Sequence, residues 1–473
     1  MQALHLPILL SRVQFAVTTM GHIPWPVLTI GMSLFLVLLE ALWIRTGDAD
    51  YYRHARFWSR LFILNFGVGV ATGLPLEFEF GTNWAPFAAS AGSFFGNMMG
   101  FESAMAFMLE AGFLGIMVFG WRRVPPAMHL FATLMVAAGA SLSAFWIMDA
   151  NSWMQTPAGG HMANGRFVVD SYLAAILNPD FLWAFGHMWI ACLETSLFVV
   201  GGISAWYIYR RRDAAFFLKS FRWALMAAIV VTPLQIYLGD GNGRTVFAYQ
   251  PAKGAALEGD WTTNAPGEGA SWAVIAWPDK TAQRNDWAIS LPGALSLLAT
   301  HTATGTVRGL KDFAPADQPP LLPLLFYGFR VMAGIGFALF FLMLWSVVTW
   351  LRGGLAPGRA SAQRWLWRGW MVAIPLAYLA VEAGWVIREV GRQPWVIYGI
   401  MRTAAGASRL PASGVGYTLA AFLIVYLVLY ASVLLFAARI VRRGPDLEIA
   451  LPEGAPRYQA PRGHRPGSAE GEA

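Results

Sequence analysis

Met371-Val372-Ala373-Ile374-Pro375-Leu376-Ala377-Tyr378-Leu379-Ala380-Val381-Glu382-Ala383-Gly384-Trp385-Val386-Ile387 runs straight into Arg388-Glu389-Val390-Gly391-Arg392-Gln393-Pro394-Trp395. The first part is mostly apolar and nearly long enough to cross a bilayer as a helix. The second sets an acid between two arginines where the run gives way to a Gly-Pro break. A carboxylate at membrane depth is costly unless it is paired, protonated or bound to a metal, so Glu389 marks a functional site by default. The plain alternative is that Arg388 or Arg392 neutralises it at a wet interface.

Runs of this kind recur along the whole chain. Hydrophobic residues make up 56% of it and charged residues only 13%, against about 25% charged in soluble domains. The pattern predicts an all-α, polytopic transmembrane bundle of about nine spans. They fall at roughly 10–44, 58–80, 95–120, 127–150, 180–209, 217–239, 324–350, 367–390 and 414–440. A membrane β-barrel would alternate in short segments instead. One long polar loop, about 240–322, is too long for a simple connector. Residues 1–446 form one membrane domain, and 447–473, ending in a stretch rich in Pro, Gly, Arg and Glu, is expected to be a disordered cytoplasmic tail. The single cysteine, Cys192, excludes an intrachain disulfide, and no removable signal peptide is read at the N-terminus.

The net charge of +7 is about orientation and not nucleic acid. Arg45, Arg53, Arg122, Arg123, Arg210, Arg211, Arg212, Arg352, Arg364, Arg442 and Arg443 gather on one side of the spans, while Arg166, Arg402 and Arg409 are the main ones opposite. The positive-inside rule makes the first side cytoplasmic and places the N-terminus and the long loop outside.

Few ionisable or metal-competent side chains interrupt the spans. His22 (Gly21-His22-Ile23-Pro24) and His187 (Phe185-Gly186-His187) each have a glycine neighbour that lets a flat cofactor approach, and imidazole is a standard axial ligand of haem iron. The rival reading for each is a histidine bonded to a neighbouring helix. His129 lacks such a glycine and is read as structural or proton-handling. Met332 is core filler unless Arg330, two residues before it, signals an anionic partner such as a haem propionate; thioether plus imidazole is a known axial pair. Glu102 and Glu110 return to within about 80° of one direction and stand about 12 Å apart along a helix, as a proton relay requires. Two acids each bonded to a different helix would look the same. In the loop, Lys253 and Glu258 lie between Tyr249 and Trp261 and could hold a quinol head group, or form a solvated salt bridge.

These segments together resemble the catalytic large subunit of the cytochrome bd family of quinol oxidases. The resemblance runs over about 10–445, through Leu10-Ser11-Arg12-Val13-Gln14-Phe15, Gly81-Thr82-Asn83-Trp84, Asn151-Ser152-Trp153-Met154-Gln155, Gly202 to Tyr207, Gln250 to Trp261 and Gly391-Arg392-Gln393-Pro394-Trp395. It implies a terminal oxidase of the bacterial inner membrane that oxidises quinol and reduces O2 to water. It implies His187 and Met332 as ligands of a low-spin haem b with Arg330 beside it. His22 and Glu389 would ligate two high-spin haems, with Arg392 nearby. One of those is haem b and the other haem d or a further haem b. Glu102 and Glu110 would lie on the proton path, and Lys253 and Glu258 in the quinol-binding Q-loop. The expected partners are a second large membrane subunit and a small single-span one. The short run from Gly309 to the seventh span resembles the short Q-loop form. Val396 to Thr403 resembles the cyanide-insensitive branch, some members of which carry haem b in place of haem d. Two rivals remain: a haem b quinol dehydrogenase passing electrons elsewhere, and a secondary transporter, for which no internal repeat is seen.

Overall fold

The computed structural model describes residues 2–356 and 358–455. Among these, nine helical stretches are long and apolar enough to cross a membrane. The first stretch is not one helix. α1 (Gln2–His22) and α2 (Pro24–Thr46) meet at Ile23, because Pro24 and Pro26 lack the N–H groups that the carbonyls of Met20 and His22 would receive in a continuous helix. His22 therefore sits at a joint, where Trp25 Nε1 and Tyr430 Oη both donate to the Gly21 carbonyl at 2.9 and 3.0 Å.

The chain continues through α3 (Ala49–Thr82), α4 (Phe95–Phe119), α5 (Pro126–Gln155), α6 (Phe181–Tyr209) and α7 (Ala214–Tyr249). α7 outruns the expected end at 239 by ten residues, so the long loop begins later and is mostly structured. α8 (Pro251–Glu258) follows at once. Where a hairpin of β1 (Gly160–Ala163) and β2 (Arg166–Val169) caps the α5–α6 connection, a second hairpin of β3 (Trp272–Asp279) and β4 (Arg284–Leu291) fills the Q-loop region. α9 (Leu322–Leu351), α10 (Arg364–Arg392) and α11 (Ala412–Arg443) complete the set.

α6 is the hub, packed against α2, α5, α7 and α10. Its Gly201 lets α10 come close, since a Cβ there would stand 2.3 Å from the Trp370 ring. Trp43, Trp58, Trp367 and Trp370 are fully buried in the main core cluster beside α6. α11 stands apart, touching mainly α1 and α3. Ile449 and Leu451, in the first part of the expected tail, pack against the main core: an alternation of apolar side chains gives this segment a surface to bury. Residues 456–473 lie outside the described residues.

Candidate functional site

α6 and α9 each pack on both α7 and α10, making a ring of four helices with His187 on one wall and Met332 on another. One nitrogen of His187, Nδ1, is buried without any hydrogen-bond partner, and the other lies 3.4 Å from the Gln235 amide. Glycines face both side chains. A Cβ on Gly239 would stand 3.1 Å from His187 Cε1, and one on Gly384 would stand 3.1 Å from Met332 Sδ. A spare ring nitrogen, a thioether and bare backbone beside each make a cradle suited to a flat ligand. The residues fit a haem with imidazole and thioether axial ligands.

His22 Nδ1 lies 3.0 Å from Thr72 Oγ1, on α3. The Thr72 hydroxyl hydrogen is directed to the Val68 carbonyl at 2.9 Å, so Thr72 accepts from His22 Nδ1–H. That fixes the tautomer and leaves Nε2 with its lone pair, the form that binds iron. Gly73 borders the ring, 3.1 Å from Cε1 to its would-be Cβ. No cluster of three or more His, Cys, Asp or Glu able to hold a bare ion occurs among the described residues. Lone ligands on separate helices match a macrocycle that brings its own ring nitrogens.

Glu389 is held by its neighbours. Asn151 Nδ2 and Gln155 Nε2 donate to Oε1 at 2.9 and 3.4 Å, and Arg392 donates to Oε2. Arg392 nevertheless keeps Nε and Nη1 buried and unpartnered, donors that an anion such as a haem carboxylate would satisfy. Arg388 turns away, pairing with Asp180 and donating to Asn151 Oδ1 at 2.7 Å. The sequence flags the arginines; it gives no warning that Asp180 joins them. Asn151 and Gln155 are separated by four residues on α5, a same-face spacing that could have pointed to them.

Lys253 and Glu258 are both buried, at 4% and 5% exposure, so neither is a solvated surface charge. They bond to different partners. Lys253 Nζ donates to Gln155 Oε1 at 3.2 Å and to the Arg388 carbonyl at 3.0 Å, which attaches the loop to the Glu389 network. Burial, reinforced by the charge of Arg388, pushes its amine down to about 7. Glu258 pairs with Arg330 at 2.9 Å and accepts from Trp272 Nε1 at 2.9 Å. Burial raises its carboxyl, and Arg330 opposes that rise.

Arg330 corrects an expectation. Its five N–H groups go to Val274 O, Leu257 O, Phe326 O, Ala273 O and Glu258, so no donor remains for a haem propionate. It latches the Q-loop hairpin to α9 instead. Glu102 and Glu110 both face α5: Ser143 Oγ donates to Glu102 Oε1 at 2.8 Å, and Glu110 lies against Gly139, one turn away. Between them α4 makes a π turn, Glu102–Phe107. That extra residue reduces their expected 80° offset to about 20°.

The family model described as cytochrome bd terminal oxidase subunit I matches residues 10–445. The chain belongs to that family. It is 32% identical to the cytochrome bd-II ubiquinol oxidase subunit 1 of Escherichia coli, over 92% of this chain and 96% of that one. It is also 32% identical to the cytochrome bd ubiquinol oxidase subunit 1 of Bacillus subtilis, over 93% and 94%. The bd oxidase structure from Geobacillus thermodenitrificans superposes with a TM-score of 0.84 at 32% identity, covering 93% of this chain and 99% of that chain. As a subunit I of the bd family the chain belongs to a multi-subunit membrane complex with a subunit II, and the family implies haem. The family match over residues 10–445 and the superposition on a bd oxidase set the secondary transporter reading aside.

Proposed function

We propose that this chain is the quinol-oxidising, oxygen-reducing subunit of its complex, with the sites distributed as follows. Quinol binds at the Q-loop, between α8 and the outer ends of α7 and α9. Lys253, with its amine pushed down to about 7 by burial, can take up a proton there as a neutral base. Glu258 and its Arg330–Trp272 latch hold the loop over the site. His187 and Met332 hold the low-spin haem b, while His22 and Glu389 hold the two high-spin groups, haem b and either haem d or a second haem b. Haem, when bound, supplies one-electron transfer and an iron at which oxygen is reduced.

The protein's own part is positioning and proton handling. Thr72 keeps His22 in the iron-binding tautomer. Arg392 and Asn151 orient Glu389, and the two free donors of Arg392 offset negative charge beside it. Glu110 and Glu102, stacked on one face of α4, pass protons toward the outer half of the bundle. The arginine-rich ends face the cytoplasm, and the N-terminus and the Q-loop face the periplasm. Protons released by quinol then leave outside while those used for water enter from inside, which separates charge without a pump. A small single-span subunit completes the complex beside subunit II.

The observation that carries the reading is the pair of glycine-bordered imidazoles on separate helices, each with a ring nitrogen left over. The deciding experiment compares oxygen uptake by the purified complex with quinol and with an artificial donor. Lys253→Ala should impair the first and spare the second. Equal loss of both would remove Lys253 from quinol oxidation. The haem b dehydrogenase alternative predicts no oxygen uptake with either donor.

A further inference from the structure

Three side chains at the arginine-rich end of the bundle form a polar cluster with no part in the chemistry above. Glu40 on α2, His129 on α5 and Thr133, one turn further along α5, are 0%, 2% and 0% exposed. His129 Nδ1 lies 2.8 Å from Glu40 Oε2, and Thr133 donates to Glu40 Oε1 at 2.8 Å. His129 Nε2 lies 3.0 Å from the Met117 carbonyl on α4.

The hydrogen count is informative. A carbonyl only accepts, so His129 Nε2 carries a hydrogen. The Nδ1–Oε2 contact then needs one more hydrogen, either on the ring facing a carboxylate or on the acid facing the ring. The pair thus holds one mobile proton between two groups of opposite charge preference. A structural clamp of two buried groups would be complete with a neutral amide in place of either. An imidazole–carboxylate couple sealed from water is costly to keep as mere packing.

Its position fits a transfer role. Met117 lies seven residues beyond Glu110 on α4, two turns and about 10 Å further toward the arginine-rich end, on nearly the same face. His129, Gly139 and Ser143 ascend α5 opposite Met117, Glu110 and Glu102. Toward the inner surface, the Trp121 ring lies 3.9 Å from His129, Arg56 sits over Trp121, and Tyr52 lies against Trp121's edge. Trp43 packs on Tyr52 in turn, and Tyr52 Oη, Trp43 Nε1 and Arg56 Nε are buried without partners.

We propose that the Glu40–His129 pair loads protons from the inner surface into the path through Glu110 and Glu102. The proposal rests on the reading of those two acids as the proton path. Delivery breaks the shared N–H or O–H bond and forms an O–H bond on a water molecule, and successive transfers through water protonate Glu110 across the two turns of α4 that separate it from the pair. The pair is refilled from water by way of the Tyr52–Arg56 edge, and no electron moves.

The test uses the complete complex in vesicles, with proton uptake from the inner-face side followed during oxygen reduction. Glu40→Gln, His129→Gln and Glu110→Gln are compared at matched haem content. The proposal expects His129→Gln and Glu40→Gln to keep the haem spectra and slow proton uptake by roughly tenfold or more. It also expects the residual rate to fall about tenfold per unit of rising pH, the signature of delivery directly from solution. A purely structural pair would lower stability and leave that slope unchanged. Normal uptake in both pair variants beside a slow Glu110→Gln overturns the loading role and leaves the path standing. Normal uptake in all three overturns the path as well. Where His129→Gln loses its haems, Glu40→Gln, which is isosteric and able to keep both hydrogen bonds, decides between the same outcomes.

Discussion

Glu258→Ala should release the Q-loop hairpin while leaving the membrane bundle intact. Arg330 and Glu258 are 15% and 5% exposed at their side chains, so the pair lies in the regime where removing one partner costs about 3–5 kcal/mol. Arg330 keeps its carbonyl acceptors at Leu257, Phe326, Ala273 and Val274, which places the loss near the low end, about 3 kcal/mol. Trp272 Nε1 also loses its acceptor, a further ~1 kcal/mol. An opening equilibrium weakened by about 4 kcal/mol in all rises close to a thousandfold. Amide hydrogen exchange on the purified complex reads this directly: β3 and β4 should exchange close to a thousandfold faster in Glu258→Ala, with α6 unchanged. Glu258→Gln keeps an acceptor for Trp272 and should fall between the two. Quinol-driven oxygen uptake should drop with the loosened loop, while the artificial donor still works. Unchanged protection of β3 in Glu258→Ala would refute the latch, whatever happens to activity.

His187→Ala or Met332→Leu should remove the low-spin haem signal from the reduced-minus-oxidised spectrum, and an unchanged spectrum would show that neither is a ligand. Lys253 accepts a proton only when its amine is neutral, above about 7, so quinol oxidation should rise with pH through that region. Lys253→Met should flatten the rise, and a wild-type inflection that survives in the variant would assign it to another group. Arg392→Ala should disturb the high-spin haem bands more than the low-spin one, since its free donors lie beside Glu389; the reverse pattern would contradict that placement.

The number and order of the spans were legible in the sequence because bilayer length forces each one to be a long apolar run. The break at Ile23 was written there too, in Pro24 and Pro26, and puts His22 at a joint. Two kinds of fact were not legible. One is where a buried charge finds its partner: Arg330, two residues from Met332, reads as a haem neighbour, yet its donors are all used, two by a hairpin more than fifty residues earlier in the chain, two by the end of α8 and one by Phe326 on its own helix. Lys253 and Glu258 are five residues apart, and nothing local shows that one faces Gln155 and the other Arg330. The second is the set of acids that the span pattern hides. Glu40 and Asp180 gain meaning only when helices far apart in sequence bring their partners to them. The π turn in α4 also escapes a helical-wheel count, and it is what aligns Glu102 with Glu110.

Haem content bears most directly on the chemistry of this chain. Pyridine haemochrome assay of the purified complex, taken with its reduced-minus-oxidised spectrum, should give three haems per copy of this chain, one of them low-spin and lost with His187. A single haem, or none, would contradict the proposed haem sites.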